Sequence, residues 1–78
     1  MSEIASTILQ IIEKAVPGIQ LDPSADGDRA LSELGIDSLD KMEVLLGVQE
    51  EWNRIFSEQE IAELNTFNAI CQICQKIS

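Results

Sequence analysis

The 78-residue sequence contains no histidine and no tyrosine, one tryptophan and two phenylalanines. Without histidine, acid–base catalysis near neutral pH falls to carboxylates, lysines or cysteines. A chain this short also has little room for a deep catalytic cleft. Cations are scarce: five Lys and Arg against fourteen Asp and Glu leave a net charge of −9. That balance argues against nucleic acid, where cationic side chains supply most of the affinity. It argues equally against an anionic membrane surface. It favours partners with basic patches, reached quickly by long-range attraction. No apolar run approaches a membrane span, and Met1 to Lys14 lacks the basic-then-apolar order of a signal peptide. Membrane insertion is therefore not expected. The two cysteines, Cys71 and Cys74, sit in one helical segment, too close together for a disulfide framework. A cytoplasmic location is expected.

What is present is helical periodicity. From Ser2 to Val16, the residues Ile4, Ile8, Ile11, Ile12 and Ala15 recur at the spacing of a one-sided helix. Ser2 is placed to cap it, and Pro17-Gly18 to end it. A long connection follows, from Ile19 to about Asp37, with Pro23, Gly27, Gly35 and four aspartates. Connections of this length are uncommon in small domains and often functional. Ile19, Leu21, Leu31, Leu34 and Ile36 are expected to pin it to the core. Ser38 to about Trp52 reads as a second long helix. Ser57-Glu58-Gln59-Glu60 reads as a capping box that opens a short helix to about Glu63. Asn65-Thr66 can cap a last helix whose stripe is Phe67, Ile70, Cys71, Cys74 and Ile77. No strand pattern and no repeat is present. The expected fold is all-α: a small four-helix bundle forming a single domain over residues 1–78, with three longer helices, a short third helix and a long first loop.

The Ser38–Trp52 helix carries two apolar faces. At about 100° per residue, Val44, Leu45, Val48 and Trp52 fall together and should enter the core. Leu39, Met42 and Leu46 fall on a different face, with Glu43 and Glu50 just beyond them. One reading makes this second stripe a modest apolar patch, rimmed with charge, for a transient protein contact. The other covers it with the long loop; the pattern alone leaves both open. Acidity concentrates in the same region: nine acidic residues lie between Glu33 and Glu63 against Lys41 and Arg54 alone, which accounts for −7 of the total −9.

Taken alone, a serine opening a helix is most simply a cap or a first-turn residue. The neighbours of Ser38 change that reading. Leu34-Gly35-Ile36-Asp37-Ser38-Leu39-Asp40 closely resembles the Leu-Gly-x-Asp-Ser-Leu-Asp signature of acyl carrier proteins. Met42-Glu43-Val44 follows the apolar-Glu-apolar pattern of that family, and Glu50-Glu51-Trp52 its Glu-Glu-aromatic end of the second helix. Phe56 through Leu64, and Thr66-Phe67, resemble its short third helix and the start of the fourth. Three positions depart from the commonest pattern. Gly47 replaces a helix former at a cost of about 1 kcal/mol relative to alanine, and so permits close packing or local give. Trp52 replaces the usual phenylalanine, which alters the expected acyl pocket. Ser57 replaces a frequent proline.

The resemblance implies that Ser38 carries a 4′-phosphopantetheine arm derived from coenzyme A, attached by a separate phosphopantetheinyl transferase with Mg²⁺. It implies acyl groups held as thioesters on the distal thiol, and no catalysis by the chain itself. With Asp37 as cap, Ser38 becomes the first helical residue, near unpaired backbone N–H groups and the positive end of the helix dipole. Asp37 and Asp40 would meet the metal or the basic residues of the transferase. Leu39, Met42 and Leu46 would give partners an apolar foothold, and Asp40, Glu43 and Glu50 would orient them. Those partners are the transferase and the acyl-loading, synthase and acyltransferase enzymes, met weakly and briefly by a monomeric carrier. Met42, Leu45, Phe56, Ile61 and Leu64 are candidate walls of an acyl cavity, or equally a filled core. The Ile-Asp-Ser-Leu-Asp run looks more like fatty-acid or polyketide carriers; a discrete aminoacyl or peptidyl carrier is the alternative.

Three other readings compete. Asp22, Ser24, Asp26 and Glu33, with Gly27, match the spacing of a calcium-binding EF-hand loop. Pro17-Gly18 stops the entering helix too early for that, however, and Arg29 occupies a position that is normally apolar. Cys71-Gln72-Ile73-Cys74 has redox spacing, yet a reactive thiol belongs near a helix N-terminus, and these two lie inside a helix on its apolar stripe. A helical adaptor without an arm would share the acidity and the second apolar face.

Overall fold

Ser2 starts the first helix in the expected way: its hydroxyl accepts the Ala5 N–H at 3.1 Å, and α1 spans Glu3–Ala15. Ile8 and Ile12 on its apolar stripe are fully buried, and Ile4, Ile11 and Ala15 pack partly buried beside them. The Val16 N–H donates to the Ile12 carbonyl and closes the helix. The computed structural model describes residues 2–77; Met1 and Ser78, the ends of the expected 1–78 unit, lie outside the described residues.

The long connection is not one open loop. Pro23–Asp26 forms a single helical turn, α2, and Leu31–Leu34 a 3₁₀ turn. Among the described residues there are thus five helices rather than four, the addition being this one turn. Pro23 presets the backbone angle of a first helical residue. The Asp22 carboxylate accepts the Ser24 N–H at 3.0 Å and caps the turn. A single turn is too short to show an apolar period, so the pattern along the sequence did not reveal it.

The connection is stitched to the end of the chain. The Asn68 N–H donates to the Gly27 carbonyl (3.0 Å), the Leu31 N–H to the Asn65 carbonyl (2.8 Å), and Asn68 Nδ2 to Asp28 Oδ1 (2.7 Å). Ala30 and Thr66 make an isolated antiparallel bridge. Leu31 and Ile36 are buried, Ile19 and Leu21 pack against the core, and Leu34 is half-buried.

Three further helices follow: α3 at Ser38–Trp52, α4 at Glu58–Glu63 and α5 at Phe67–Ile77. The capping box at α4 is complete, with Ser57 Oγ accepting the Glu60 N–H (3.2 Å) and Glu60 Oε1 accepting the Ser57 N–H (2.9 Å). Thr66 alone caps α5, its hydroxyl accepting the Ala69 N–H at 3.0 Å. Val44, Leu45 and Val48 of α3 are buried in one core with Ile8 and Ile12 of α1 and Phe67, Ile70 and Cys74 of α5, and Trp52 is half-buried against it. Gly47 explains the close approach of α1 to α3: a Cβ built there would lie 2.7 Å from Ile11 Cγ2.

Cys71 and Cys74 are free and buried on the α5 stripe. Burial pushes both thiols up from their ordinary range, Cys74 to about 11 with Cys71 adding to it. That is the reverse of what a reactive redox thiol needs. These cysteines are packing residues.

Candidate functional site

The site begins where Gly35 turns the chain. Its backbone is left-handed (φ 91°), and its N–H closes the 3₁₀ turn on the carbonyls of Leu31 and Ser32. This conformation favours glycine. The turn sends Ile36 into the core, 2% exposed, and leaves Asp37 and Ser38 in solvent.

Asp37 then starts α3, its Oδ1 accepting the Asp40 N–H at 2.8 Å. The amides of Ser38 and Leu39 make no hydrogen bond among the described residues, so both remain donors at the positive end of the helix. Ser38 is exposed as the first helical residue, and its hydroxyl has no partner among the described residues.

Beside Ser38 lies a shallow depression of about 440 Å³. Leu31 and Ile36 contribute apolar surface to it, and Asp37, Ser38, Lys41 and Asn65 line its polar side. Lys41 Nζ donates to Asn65 Oδ1 at 2.9 Å, which bridges α3 to the segment between α4 and α5. Partial burial lowers the Lys41 pKa from its ordinary value. Asn65 is anchored from below, its Nδ2 donating to the Ala62 carbonyl at 2.7 Å.

The second apolar stripe of α3 is not covered by the connection. Leu39 is 78% exposed, Met42 43% and Leu46 52%. Glu43 and Glu50 are exposed beside them, and Asp40 is half-buried at the helix start. Glu43, Leu46 and Glu50 also line a groove of about 680 Å³ between α1 and α3. Asp37, Leu39, Asp40, Met42, Glu43, Leu46 and Glu50 thus belong to one helix that starts at Ser38, with Asp37 as its cap.

Two expectations divide differently. Of the five candidate cavity walls, Leu45, Phe56 and Leu64 are core residues, Ile61 is half-buried and Met42 is on the exposed stripe. The depression beside Ser38 is lined by none of them. The candidate calcium ligands are engaged in local bonds. Asp22 caps α2. Asp26 accepts the Asp22 N–H at 3.0 Å and pairs with Arg29 at 3.3 Å, and these contacts hold its carboxyl below the usual range. Among the described residues, no group of three or more His, Cys, Asp or Glu is placed to hold a metal ion. No helix among them is long and apolar enough to cross a membrane.

Three features escaped the sequence. Lys41 stands three residues after Ser38, so helical spacing could have placed it on the serine's side of α3. Asn65 is brought there only by the tertiary fold. Ile55, 87% exposed just past α3, interrupts no apolar pattern that would have singled it out.

The family model described as the phosphopantetheine attachment site matches residues 3–74. The chain belongs to that family. Its members carry 4′-phosphopantetheine covalently, and the chain is accordingly a phosphopantetheine-carrying carrier protein. Carrier domains of this family are in general non-catalytic, modified by a phosphopantetheinyl transferase and visited by biosynthetic enzymes. No curated relative matches the chain. The residues at the start of α3 fit the group: an exposed, unpartnered hydroxyl, two free amides for a phosphate, and open space beside them.

Proposed function

We propose that Ser38 is the attachment residue and that the protein is an acyl carrier for fatty-acid or polyketide-type biosynthesis, working in the cytoplasm. The observation that carries the reading is the exposed Ser38 hydroxyl, unpartnered at the first position of α3, inside the Leu34–Asp40 signature. In the loading step, Ser38 Oγ forms a bond to the phosphorus of coenzyme A that bears the pantetheine. The pyrophosphate P–O bond breaks and adenosine 3′,5′-bisphosphate leaves. The hydroxyl proton passes to a base outside this chain. The arm so attached supplies a terminal thiol for thioester cargo.

The chain's own residues position the reaction. Asp37 fixes the helix start, while the Ser38 and Leu39 amides and the helix dipole favour the phosphate. Asp37 and Asp40 add negative charge for the metal or basic residues of the transferase. Partners dock on Leu39, Met42 and Leu46 and are oriented by Asp40, Glu43 and Glu50. The exposure of that stripe supports this face. The Ile36-Asp37-Ser38-Leu39-Asp40 run resembles fatty-acid and polyketide carriers more than peptidyl carriers, and a discrete aminoacyl carrier is the alternative reading.

Mass spectrometry tests the assignment. Incubation with coenzyme A and a broad-specificity transferase should add about 340 Da, the size expected for the arm, and fragmentation should place it on Ser38. Ser38→Ala should fold with the same circular dichroism and gain no mass. Modification of Ser38→Ala would refute the assignment.

A further inference from the structure

Lys41 differs from the two arginines of this chain. Arg29 pairs with Asp26 and Glu33, and Arg54 with Glu60. Lys41 is half-buried, and no carboxylate lies within ion-pair distance of it among the described residues. In a protein of net charge −9, this ammonium is held instead by a neutral amide, Asn65 Oδ1. Partial desolvation without a counterion is a cost that an anion would relieve. An ammonium has three donors, and the Asn65 bond uses one. Lys41 also shares with Ser38 the lining of the depression, three residues along the same helix.

We propose that Lys41, oriented by Asn65, is the counter-charge for the phosphodiester on Ser38 and holds the root of the arm over this depression. The inference rests on Ser38 being the attachment residue. Lys41 and Asn65 act as positioning residues. Arm attachment adds a negative charge beside Asp37 and Asp40, and Lys41 offsets it at the one point where a cation lines the same depression. Asn65 keeps the ammonium at the depression, and its own amide stays anchored to the Ala62 carbonyl. The root of the arm is thereby biased toward the segment between α4 and α5, away from the partner stripe of α3.

The test compares apo and arm-bearing forms of the wild type, Lys41→Gln, Lys41→Arg, Asn65→Ala and the distant control Lys14→Gln. Mass spectrometry first verifies loading of each. Phosphorus NMR of the loaded forms should show the wild-type resonance displaced in Lys41→Gln and Asn65→Ala, retained in Lys14→Gln and restored toward wild type in Lys41→Arg. Arm attachment should lower the melting temperature of Lys41→Gln by about 2–6 °C more than it lowers that of wild type, the effect of one partly exposed ion pair in a domain of this size. Identical phosphorus resonances and identical apo-to-loaded melting shifts in all five proteins would overturn the clasp and leave Ser38 as the attachment residue. Loading that occurs elsewhere than Ser38, or not at all in the wild type, would overturn both.

Discussion

Replacing Gly47 by alanine places two effects of similar size in opposition, and the structure decides between them. Gly47 lies inside α3, where alanine is favoured over glycine by about 1 kcal/mol. The new Cβ would, however, stand 2.7 Å from Ile11 Cγ2, about 1 Å inside the optimum carbon–carbon separation. Ile11 is β-branched and sits in α1, where one rotamer dominates, so the methyl cannot swing away freely. Relief needs an off-rotamer side chain or separation of α1 from α3, at about 1–3 kcal/mol. The net result is a destabilisation of about 1 kcal/mol, or some 4–8 °C in melting temperature for a domain of this size. Ile11→Ala removes the clashing methyl and leaves only Cβ, at an ordinary 3.9 Å. In that background Gly47→Ala should stabilise by about 1 kcal/mol, a coupling of about 2 kcal/mol between the two sites. Urea unfolding followed by the fluorescence of Trp52, the sole tryptophan, gives all four stabilities. If alanine at position 47 stabilised the wild type and the Ile11→Ala variant equally, the close-packing account of this glycine would be wrong.

Three more outcomes follow from the same geometry. A disulfide reagent should titrate no fast thiol in the native apo protein, because Cys71 and Cys74 are buried with raised pKa values; loading should add one fast thiol, and a fast pair in the apo form would contradict the core placement of the cysteines. Both thiols bind protons more tightly folded than unfolded, so the stability they contribute is complete below the unfolded thiol value of 9.0 and is lost as pH rises through their raised folded values, about 11 for Cys74; Lys41, lowered by burial, acts in the opposite direction. Stability measured across that window should therefore fall in the wild type and fall less in a Cys71→Ala/Cys74→Ala variant. Leu46→Asp, on an exposed position of α3, should change stability by no more than about 0.5 kcal/mol yet lower the kcat/KM of transferase loading about tenfold, as loss of an interface anchor does; an unchanged rate would remove Leu46 from the docking face.

The parts of the fold legible in the sequence were those written in period and in caps. Ile8 and Ile12, or Phe67, Ile70 and Cys74, announce buried faces because a helix repeats its lining every three or four residues. Ser2, Asp37, Ser57 and Thr66 announce helix starts because a short oxygen-bearing side chain satisfies an amide that the helix leaves open. The fate of the Leu39, Met42 and Leu46 stripe could not be read in this way. Whether the connection covers it depends on where that connection is pinned, and the pins are contacts of Gly27, Asp28 and Leu31 with Asn65 and Asn68, far apart along the chain. For the same reason Asn65 read only as a helix cap. Its role at the depression follows from Lys41 reaching it across the fold.

The exposed stripe raises a question that the charge answers. Leu39, Met42 and Leu46 leave contiguous apolar surface on one helix, and such surface invites self-association unless something opposes it. A second copy of this protein brings the same patch together with the same −9. Its own Glu43 and Glu50 stand beside the stripe, so a face-to-face encounter sets carboxylates against carboxylates within the range that physiological salt leaves unscreened, about 8 Å. A partner with a basic patch meets the same surface with the opposite sign and gains from both the charge and the apolar contact. On the proposed function, the acidity would work as a selector. It would repel like molecules from the α3 stripe and admit the cationic surface of an enzyme to the helix that begins at Ser38.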